Sequence, residues 1–281
     1  MIYLNGAFMP LEEARIPVLD RGFIFGDGVY EVIPVYSRKP FRLDEHLARL
    51  QHSLDGIMLD NPRSNSEWTE IIGELIDANE PEDQSVYLHV TRGVAKRDHA
   101  FPKGVKPTVF MMSNPLVPPS RETLESGVIA VSAVDNRWLR CDIKAISLLP
   151  NVLLRQGAVD AGAVEAILFR EDFLTEGAAS NIFAVKDETL LAPPKDNFML
   201  PGITYDVVLE LAASIGIPFE VRRISKEEVL SASELLLTSS TKEVTPITQL
   251  DGKPVGSGKP GPYFAKLHAA YQEFKSSVMR A

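Results

Sequence analysis

A proline-rich segment near the middle of the chain most constrains how this sequence can fold. Residues 114–121 contain three prolines, and proline stiffens a chain and interrupts both helices and strand ladders. The 281 residues are enough for two domains of ordinary size. We therefore predict an N-terminal domain over residues 1–115, a linker over residues 116–121 and a C-terminal domain over residues 122–281.

Both predicted domains mix strand-like and helix-like patterns. Residues 29–36 are rich in β-branched and aromatic side chains, which is typical of a strand. From Leu43 to Leu54 the leucines recur every three or four residues, which is typical of an amphipathic helix. Similar patterns predict strands over 86–91, 107–113, 128–134, 163–170, 182–185, 189–192, 218–222 and 234–239, and helices over 68–78, 152–161, 204–215 and 263–276. We therefore predict a two-domain α/β (α+β) fold that holds its ligand in the interdomain cleft.

Composition excludes several classes of partner. The net charge of −9 argues against nucleic acid and against anionic membranes, since both attract positive surfaces. Cys141 is the only cysteine, so we predict neither a disulfide framework nor a metal site. The first residues lack a basic start and a long apolar run, and no apolar run is long enough to span a membrane. We expect a soluble protein of the cytoplasm.

Lys144 is the first candidate catalytic residue. It ends the charged run 137–144 and opens the apolar stretch 145–149. A partly desolvated lysine has a lowered pKa, and its neutral amine is a nucleophile toward carbonyls and a proton acceptor. The alternative is a lysine whose ammonium reaches solvent at the end of a helix or strand. The segment alone favours that alternative.

Three segments of the second half could surround one anionic ligand. In residues 201–204 a glycine precedes a predicted helix that Thr204 can cap, and such a helix start suits a phosphate. Residues 238–241 place four hydroxyl side chains in a row after an apolar strand. In residues 175–181 the carboxylate of Glu176 precedes small residues that allow close approach. Each segment alone also fits an ordinary turn or capped helix.

Candidate anion-binding side chains also occur in the first half. Arg49 faces away from the leucine stripe of its predicted helix, towards either solvent or a phosphate in the cleft. Arg97 and His99 are two residues apart, so in an extended loop both can bind one carboxylate. The alternative for this pair is a solvated charged loop.

Taken in order, these motifs resemble the fold type IV pyridoxal-phosphate (PLP) enzymes, or class IV aminotransferases. That family includes D-amino-acid aminotransferases, branched-chain aminotransferases and aminodeoxychorismate lyases. The resemblance spans nearly the whole chain and is closest to the D-amino-acid aminotransferase branch, because of the segments 97–102 and 137–144. It rests on the motifs 20–23, 25–32, 45–50, Lys144, Glu176-Gly177, Ser180-Asn181, Gly202-Ile203-Thr204 and Thr238-Ser239.

The resemblance implies a role for each matched residue. Lys144 would form the Schiff base with PLP and then move the substrate Cα proton, while Glu176 would pair with the pyridine nitrogen. The other implied cofactor-binding residues are Arg49, Ser180, Asn181, Ile203, Thr204, Ser239 and Ser240. The implied substrate-binding residues are Tyr30, Val32, Arg97 and His99, the last two reaching across from the partner subunit of a homodimer. The expected reaction moves an amino group between D-alanine-like amino acids and 2-oxo acids such as 2-oxoglutarate or pyruvate.

Other functions remain open at this point. Within the family these are an aminodeoxychorismate lyase, a branched-chain L-amino-acid aminotransferase and an (R)-amine transaminase. Outside it they are a catalytically silent PLP-binding protein and a cofactor-free Schiff-base aldolase. The chain also departs from the D-specific pattern at Pro150, Ala178, Ala179, Pro201 and Ser240, and these changes can reshape the substrate pocket.

Overall fold

The computed structural model describes residues 1–281, which form two compact units. The first unit contains Met1–Val117 and Ile143–Leu148, and the second contains Pro118–Asp142 and Leu149–Ala281. The segment with Lys144 thus packs within the first unit, whereas the sequence placed it in the C-terminal domain. Backbone pairing accounts for this position, because Ala145 forms an antiparallel bridge with Val29.

The first unit is built on an antiparallel sheet with strand order β2-β1-β6-β5-β3-β4. Its strands are β1 (Ile2–Leu4), β2 (Ala7–Met9), β3 (Gly28–Tyr36), β4 (Lys39–Pro40), β5 (Gln84–Thr91) and β6 (Thr108–Pro115). Its helices are α1 (Arg21–Phe25), α2 (Leu43–Gly56) and α3 (Asn65–Asp77), with a 3-10 turn at Leu11–Glu13.

One face of this sheet packs against helices α2 and α3. The leucine stripe of α2 is almost fully buried, with Leu47, Leu50 and Leu54 at most 1% exposed. Trp68 of α3 fills the same core. Helix α3 begins earlier than predicted because Ser64 and Glu67 form a reciprocal capping box before the first apolar residue. Apolar periodicity therefore located α2 and α3, while the capping box set the start of α3.

The second unit is built on a nine-stranded mixed sheet with strand order β12-β11-β10-β13-β14-β7-β8-β9, and β15 pairs with β14. Its strands are β7 (Val128–Val134), β8 (Glu165–Arg170), β9 (Phe173–Gly177), β10 (Asn181–Lys186), β11 (Thr189–Ala192), β12 (Phe219–Val221), β13 (Glu234–Ser239), β14 (Glu243–Leu250) and β15 (Lys253–Pro254). Its helices are α4 (Arg121–Ser126), α5 (Leu149–Asp160), α6 (Ile203–Ser214), α7 (Lys226–Leu230) and α8 (Pro262–Phe274), followed by a π-helical turn at Lys275–Met279. None of the helices in the structure is long and apolar enough to cross a membrane.

Strands β9 and β14 were not predicted from the sequence. A tight turn joins β8 to β9, with Glu171 and Asp172 both at positive φ, and neither residue is a strong signal for that conformation. Pro246 lies inside β14, where proline argues against a strand. In the structure Pro246 is paired in register with Leu236 of β13, and pairing with β7 begins at Ile247. Glu176 consequently lies in a strand, and not in the turn that the sequence suggested.

Candidate active site

Lys144 is held from two sides within the first unit. Its carbonyl oxygen accepts a hydrogen bond from the Tyr30 N–H of β3 at 3.0 Å. Its own N–H donates to the Ser53 hydroxyl of α2 at 3.1 Å. The Lys144 Nζ lies 4.3 Å from the centroid of the Tyr30 ring, a distance at which a cation is attracted to an aromatic face. The structure therefore brings two predicted site residues together and adds Ser53, which the sequence analysis did not single out.

The face of the sheet that carries Tyr30 and Val32 forms an aromatic wall. Across the β3–β5 pair, Tyr30 lies opposite His89 and Val32 lies opposite Tyr87. The Tyr87 hydroxyl is 2.9 Å from His89 Nδ1. Burial lowers the pKa of His89 and raises the pKa of Tyr87 to about 12, so both groups are neutral at pH 7. The alternation of residues 86–91 could have shown that Tyr87 and His89 lie on one face of their strand. It could not have shown that this face continues the one with Tyr30 and Val32.

The opposite face of β3 carries a buried ionic cluster of Glu31, His46 and Arg49. Arg49 donates to both oxygens of Glu31, at 2.8 and 2.7 Å, and His46 Nδ1 lies 2.8 Å from the same carboxylate. Burial alone would raise the pKa of Glu31, but the charge and hydrogen bonds of Arg49, with those of His46, hold this pKa well below its usual range. Arg49 is therefore not in solvent. Glu31 and His46 were missed, although His46, Arg49 and Ser53 form a polar stripe on α2.

Removal of the Glu31 carboxylate should destabilise the first unit. The Glu31→Ala variant leaves the guanidinium of Arg49 buried without its counter-charge, which costs about 3–5 kcal/mol in comparable pairs. Glu45→Ala on the same helix is the matched control, because its side chain is 50% exposed and lies 3.9 Å from Arg42; such a pair contributes about 0–1 kcal/mol. Urea unfolding of both variants measures the difference. Equal unfolding midpoints would contradict the assignment.

Arg97 and His99 both lie near Phe25, the last residue of helix α1. The guanidinium carbon of Arg97 is 5.4 Å from the centroid of the Phe25 ring, and the His99 ring centroid is 5.3 Å from it. Both side chains are exposed. The loop that carries them is anchored by Arg21, whose guanidinium donates to the carbonyl oxygens of Asp98 and His99. The loop thus has a defined path, with both predicted carboxylate-binding groups at its surface.

In the second unit, Glu176 is at the centre of a buried polar network. It is 5% exposed, and it accepts hydrogen bonds from the Arg137 guanidinium, from Asn181 Nδ2 at 3.2 Å and from the Leu200 N–H at 3.1 Å. Arg137 in turn forms a two-point ion pair with Asp135, at 2.9 and 3.0 Å. Burial raises the pKa of Glu176 to about 7, although Arg137 acts in the opposite direction. The roles of Arg137 and Asp135 were not predicted.

This pKa makes the stability of the cofactor-free protein depend on pH. The Glu176 pKa is about 7 in the folded chain against a reference value of 4.5, so folding favours the protonated carboxyl. Its contribution to stability is complete below about pH 4.5 and is lost as the pH rises through about 7. The Glu176→Gln variant lacks this titration, so its unfolding free energy relative to the natural chain should increase over that range. Urea unfolding at four pH values measures this difference, and a constant difference would contradict the raised pKa.

The start of helix α6 has the features of a phosphate site. Gly202 is the N-cap and no side chain caps the helix, so Thr204 lies inside the helix and is not the cap that the sequence suggested. A Cβ on Gly202 would approach Asn181 Oδ1 to 2.1 Å, which explains the glycine. Asn181 is also paired in register with Thr238, whose buried hydroxyl has no hydrogen-bond partner. Open helix N–H groups beside an unpartnered hydroxyl suit a phosphate, so the residues present fit this part of the cofactor.

The remaining predicted cofactor-binding hydroxyls differ in their surroundings. Ser239 and Ser240 follow Thr238 at the end of β13, and both are half-buried. Ser239 Oγ accepts the Lys242 N–H at 3.1 Å. The Ser180 hydroxyl donates to Glu165 Oε2 at 2.8 Å, so its proton is already committed within the chain.

Known proteins match the chain along nearly its whole length. Residues 28–250 match the family model for amino-transferase class IV. A D-alanine aminotransferase of Bacillus licheniformis is 42% identical over 96% of this chain and 95% of that protein. A D-alanine aminotransferase of Staphylococcus aureus (strain COL) is 40% identical over 98% of each chain.

Solved structures show the same fold. The branched-chain amino acid aminotransferase of Escherichia coli has a TM-score of 0.90 at 28% identity, covering 97% of this chain and 93% of that one. A T.th. branched-chain amino acid aminotransferase solved with pyridoxamine 5'-phosphate has a TM-score of 0.91 at 27% identity, covering 100% and 94%. The predicted fold type IV architecture, aminotransferase activity and PLP cofactor are confirmed by these matches. The chain belongs to the class IV aminotransferases.

Proposed function

We propose that this aminotransferase moves amino groups between D-amino acids similar to D-alanine and 2-oxo acids such as 2-oxoglutarate or pyruvate. The observation that carries the proposal is the position of Lys144, whose backbone is fixed by β3 and α2 while its Nζ lies over Tyr30. The preference for D-amino acids is supported by relatives named D-alanine aminotransferases, which are 38–42% identical over 96–98% of the chain.

The proposed cofactor contacts follow from the groups that each unit offers. Arg49, Ile203, Thr204, Ser239 and Ser240 hold the phosphate, with the open N–H groups of helix α6 as its principal donors. Glu176 faces the pyridine nitrogen. Its two carboxylate oxygens have about four acceptor sites and accept from three groups of the chain itself, so capacity remains for a further N–H. Asn181 orients this carboxylate, and Ser180 supports the preceding turn.

Bound PLP supplies an electron sink for the charge left on the substrate Cα. Lys144 removes the Cα proton as a general base and later delivers a proton on the reverse half-reaction, so one amine serves both directions. In the occupied site Glu176 and a protonated pyridine nitrogen would each favour the charged form of the other, because opposite charges in contact stabilise both. Arg137 keeps Glu176 in place throughout the cycle.

Substrate binding is proposed to use the exposed cationic pair and the aromatic wall. Tyr30, Arg97 and His99 bind the substrate carboxylate, and guanidinium geometry suits that group. Val32 lines the side-chain pocket, beside the neutral Tyr87 and His89. The active form is proposed to be a homodimer in which Arg97 and His99 act in the partner's site.

A mixing experiment tests the shared site. Lys144→Ala and Arg97→Ala chains are each expected to have little activity. If the arginine acts across the interface, mixed dimers contain one site with an intact lysine and an intact arginine, so unfolding and refolding the mixture restores activity. The same mixture should regain none if each chain uses its own Arg97. Size-exclusion chromatography coupled to light scattering establishes that dimers form.

A substrate panel tests the proposed reaction. The purified chain is assayed with D-alanine, L-leucine, an (R)-amine and aminodeoxychorismate, with 2-oxoglutarate or pyruvate as acceptor where needed. Turnover should be fastest with D-alanine, and the protein should absorb in the near-ultraviolet to visible range until borohydride bleaches that band. A branched-chain L-aminotransferase is the second candidate, since solved enzymes of that name share the fold at 27–28% identity. Faster turnover of L-leucine would establish it instead.

A further inference from the structure

Glu165 is a buried carboxylate with no role in the site described above. It lies on β8 with 0% exposure. Its Oε1 accepts the N–H groups of Ala166 and Ala178, both at 3.1 Å. Its Oε2 accepts the Ser180 hydroxyl at 2.8 Å and the Lys242 ammonium at 3.2 Å. Glu165 therefore has four donors, and Lys242 is its one cationic partner among them.

Three of these four donors belong to two loops that carry proposed cofactor-binding residues. The first loop is the turn 177–180 between β9 and β10, which is closed by a 2.7 Å hydrogen bond from the Gly177 N–H to the Ser180 carbonyl oxygen. A Cβ on Gly177 would lie 2.4 Å from Ser180 Oγ, so the turn has no spare room. Glu165 fixes this loop through Ala178 and Ser180.

The second loop contains the hydroxyl residues that follow β13. Lys242 makes three contacts, two with neighbouring residues of the chain and one with Glu165 of β8. Its N–H donates to Ser239 Oγ at 3.1 Å, its carbonyl oxygen accepts the Thr245 hydroxyl at 2.8 Å, and its ammonium reaches Glu165. The loop therefore cannot shift away from β8 without breaking the ion pair.

We propose that Lys242, acting through Glu165, is a positioning residue for the phosphate-binding loop 239–241. The inference rests on the proposed cofactor site but assigns Lys242 no contact with the cofactor. The carboxylate is fully buried while the lysine side chain is 31% exposed, so loss of the cation leaves a buried charge with neutral donors only, which is costly. Release of the ion pair frees Ser239 and Ser240 from the turn that carries Ser180.

The test compares two ligands that differ only in the phosphate. The full-length chain, freed of cofactor, is titrated with PLP and with pyridoxal, and binding is followed by absorbance and fluorescence. Lys242→Met should weaken PLP binding roughly tenfold or more, the effect of losing one charge-assisted interaction, and should change pyridoxal binding less than about twofold. Lys242→Arg should restore most of the PLP affinity. Glu165→Gln, which keeps the side-chain shape, should show the same selective loss.

Lys186→Met is the control, because Lys186 is also a lysine of the second unit held by a polar contact, donating to the Ser231 hydroxyl at 3.0 Å, but it lies at the opposite end of β10 from Asn181. It should bind PLP like the natural chain. An unchanged PLP affinity in Lys242→Met, an equal loss for both ligands, or a failure of Lys242→Arg to restore binding would each overturn the inference. If the natural chain bound no PLP, the proposed function itself would fail, and the inference with it.

Discussion

Replacement of Lys144 by alanine should abolish transamination. The variant lacks the amine that we propose binds the cofactor and moves the proton at the substrate Cα, and a positioned general base alone contributes about 10²–10⁴-fold. The kcat with D-alanine and 2-oxoglutarate should therefore fall by at least about 10³-fold. The fold should persist, because the backbone of this residue makes its hydrogen bonds to Tyr30 and Ser53 without the side chain.

The control for this variant is Lys39→Ala, an exposed lysine of the same unit on strand β4. It should have the kcat of the natural chain within about twofold, as expected for a surface substitution. A Lys144→Ala protein that kept steady-state turnover near that of the control would contradict the assignment of Lys144.

Replacement of Glu176 by glutamine should have the second largest effect. Glutamine retains the shape and can still accept from Asn181 and Leu200, but it carries no charge for the proposed pairing with the pyridine nitrogen. Loss of one preorganised electrostatic group costs about 10²–10³-fold in kcat in comparable sites. The cofactor should remain bound, since the proposed phosphate site at helix α6 is unchanged.

Glu228→Gln provides the comparison, because Glu228 pairs with Arg222 away from this network. Its kcat should match that of the natural chain, with a small loss of stability. If Glu176→Gln lost cofactor without slowing the reaction of the remaining holoenzyme, Glu176 would be a binding group and not the partner of the ring nitrogen.

Patterns with a strong period were sufficient to predict much of the fold. The leucines of α2 recur on one face, and their burial follows from that spacing. Strand alternation located β5 and the apolar run located β13, because both strands are long and buried. The predicted ends of helices were less accurate than their positions. Helix α3, for example, begins after its cap Ser64, which lies outside the apolar pattern.

Features that depend on distant residues could not be predicted in this way. The placement of Lys144 in the first unit follows from pairing with β3, more than a hundred residues earlier in the chain. Strand β14 was missed because Pro246 lies inside it, and proline within a sequence argues against a strand.

The candidate site likewise combines residues of local motifs with partners that are distant in the sequence. Lys144, Glu176 and the glycine before α6 could be proposed from the sequence because their motifs are local. Their partners were missed, since Ser53, Arg137 and Glu165 are brought to these motifs only by folding. The sequence does not show which carboxylates are buried and surrounded by hydrogen-bond donors. Burial of a charged residue is unusual, and it depends on partners that only the fold brings close.

The chirality of the amino acid product tests the central claim most directly. The holoenzyme is incubated with pyruvate and an excess of D-glutamate or L-glutamate, and the alanine formed is resolved by chiral chromatography. The account predicts D-alanine, formed rapidly from D-glutamate and not from L-glutamate. Formation of L-alanine from L-glutamate as the main product would contradict it.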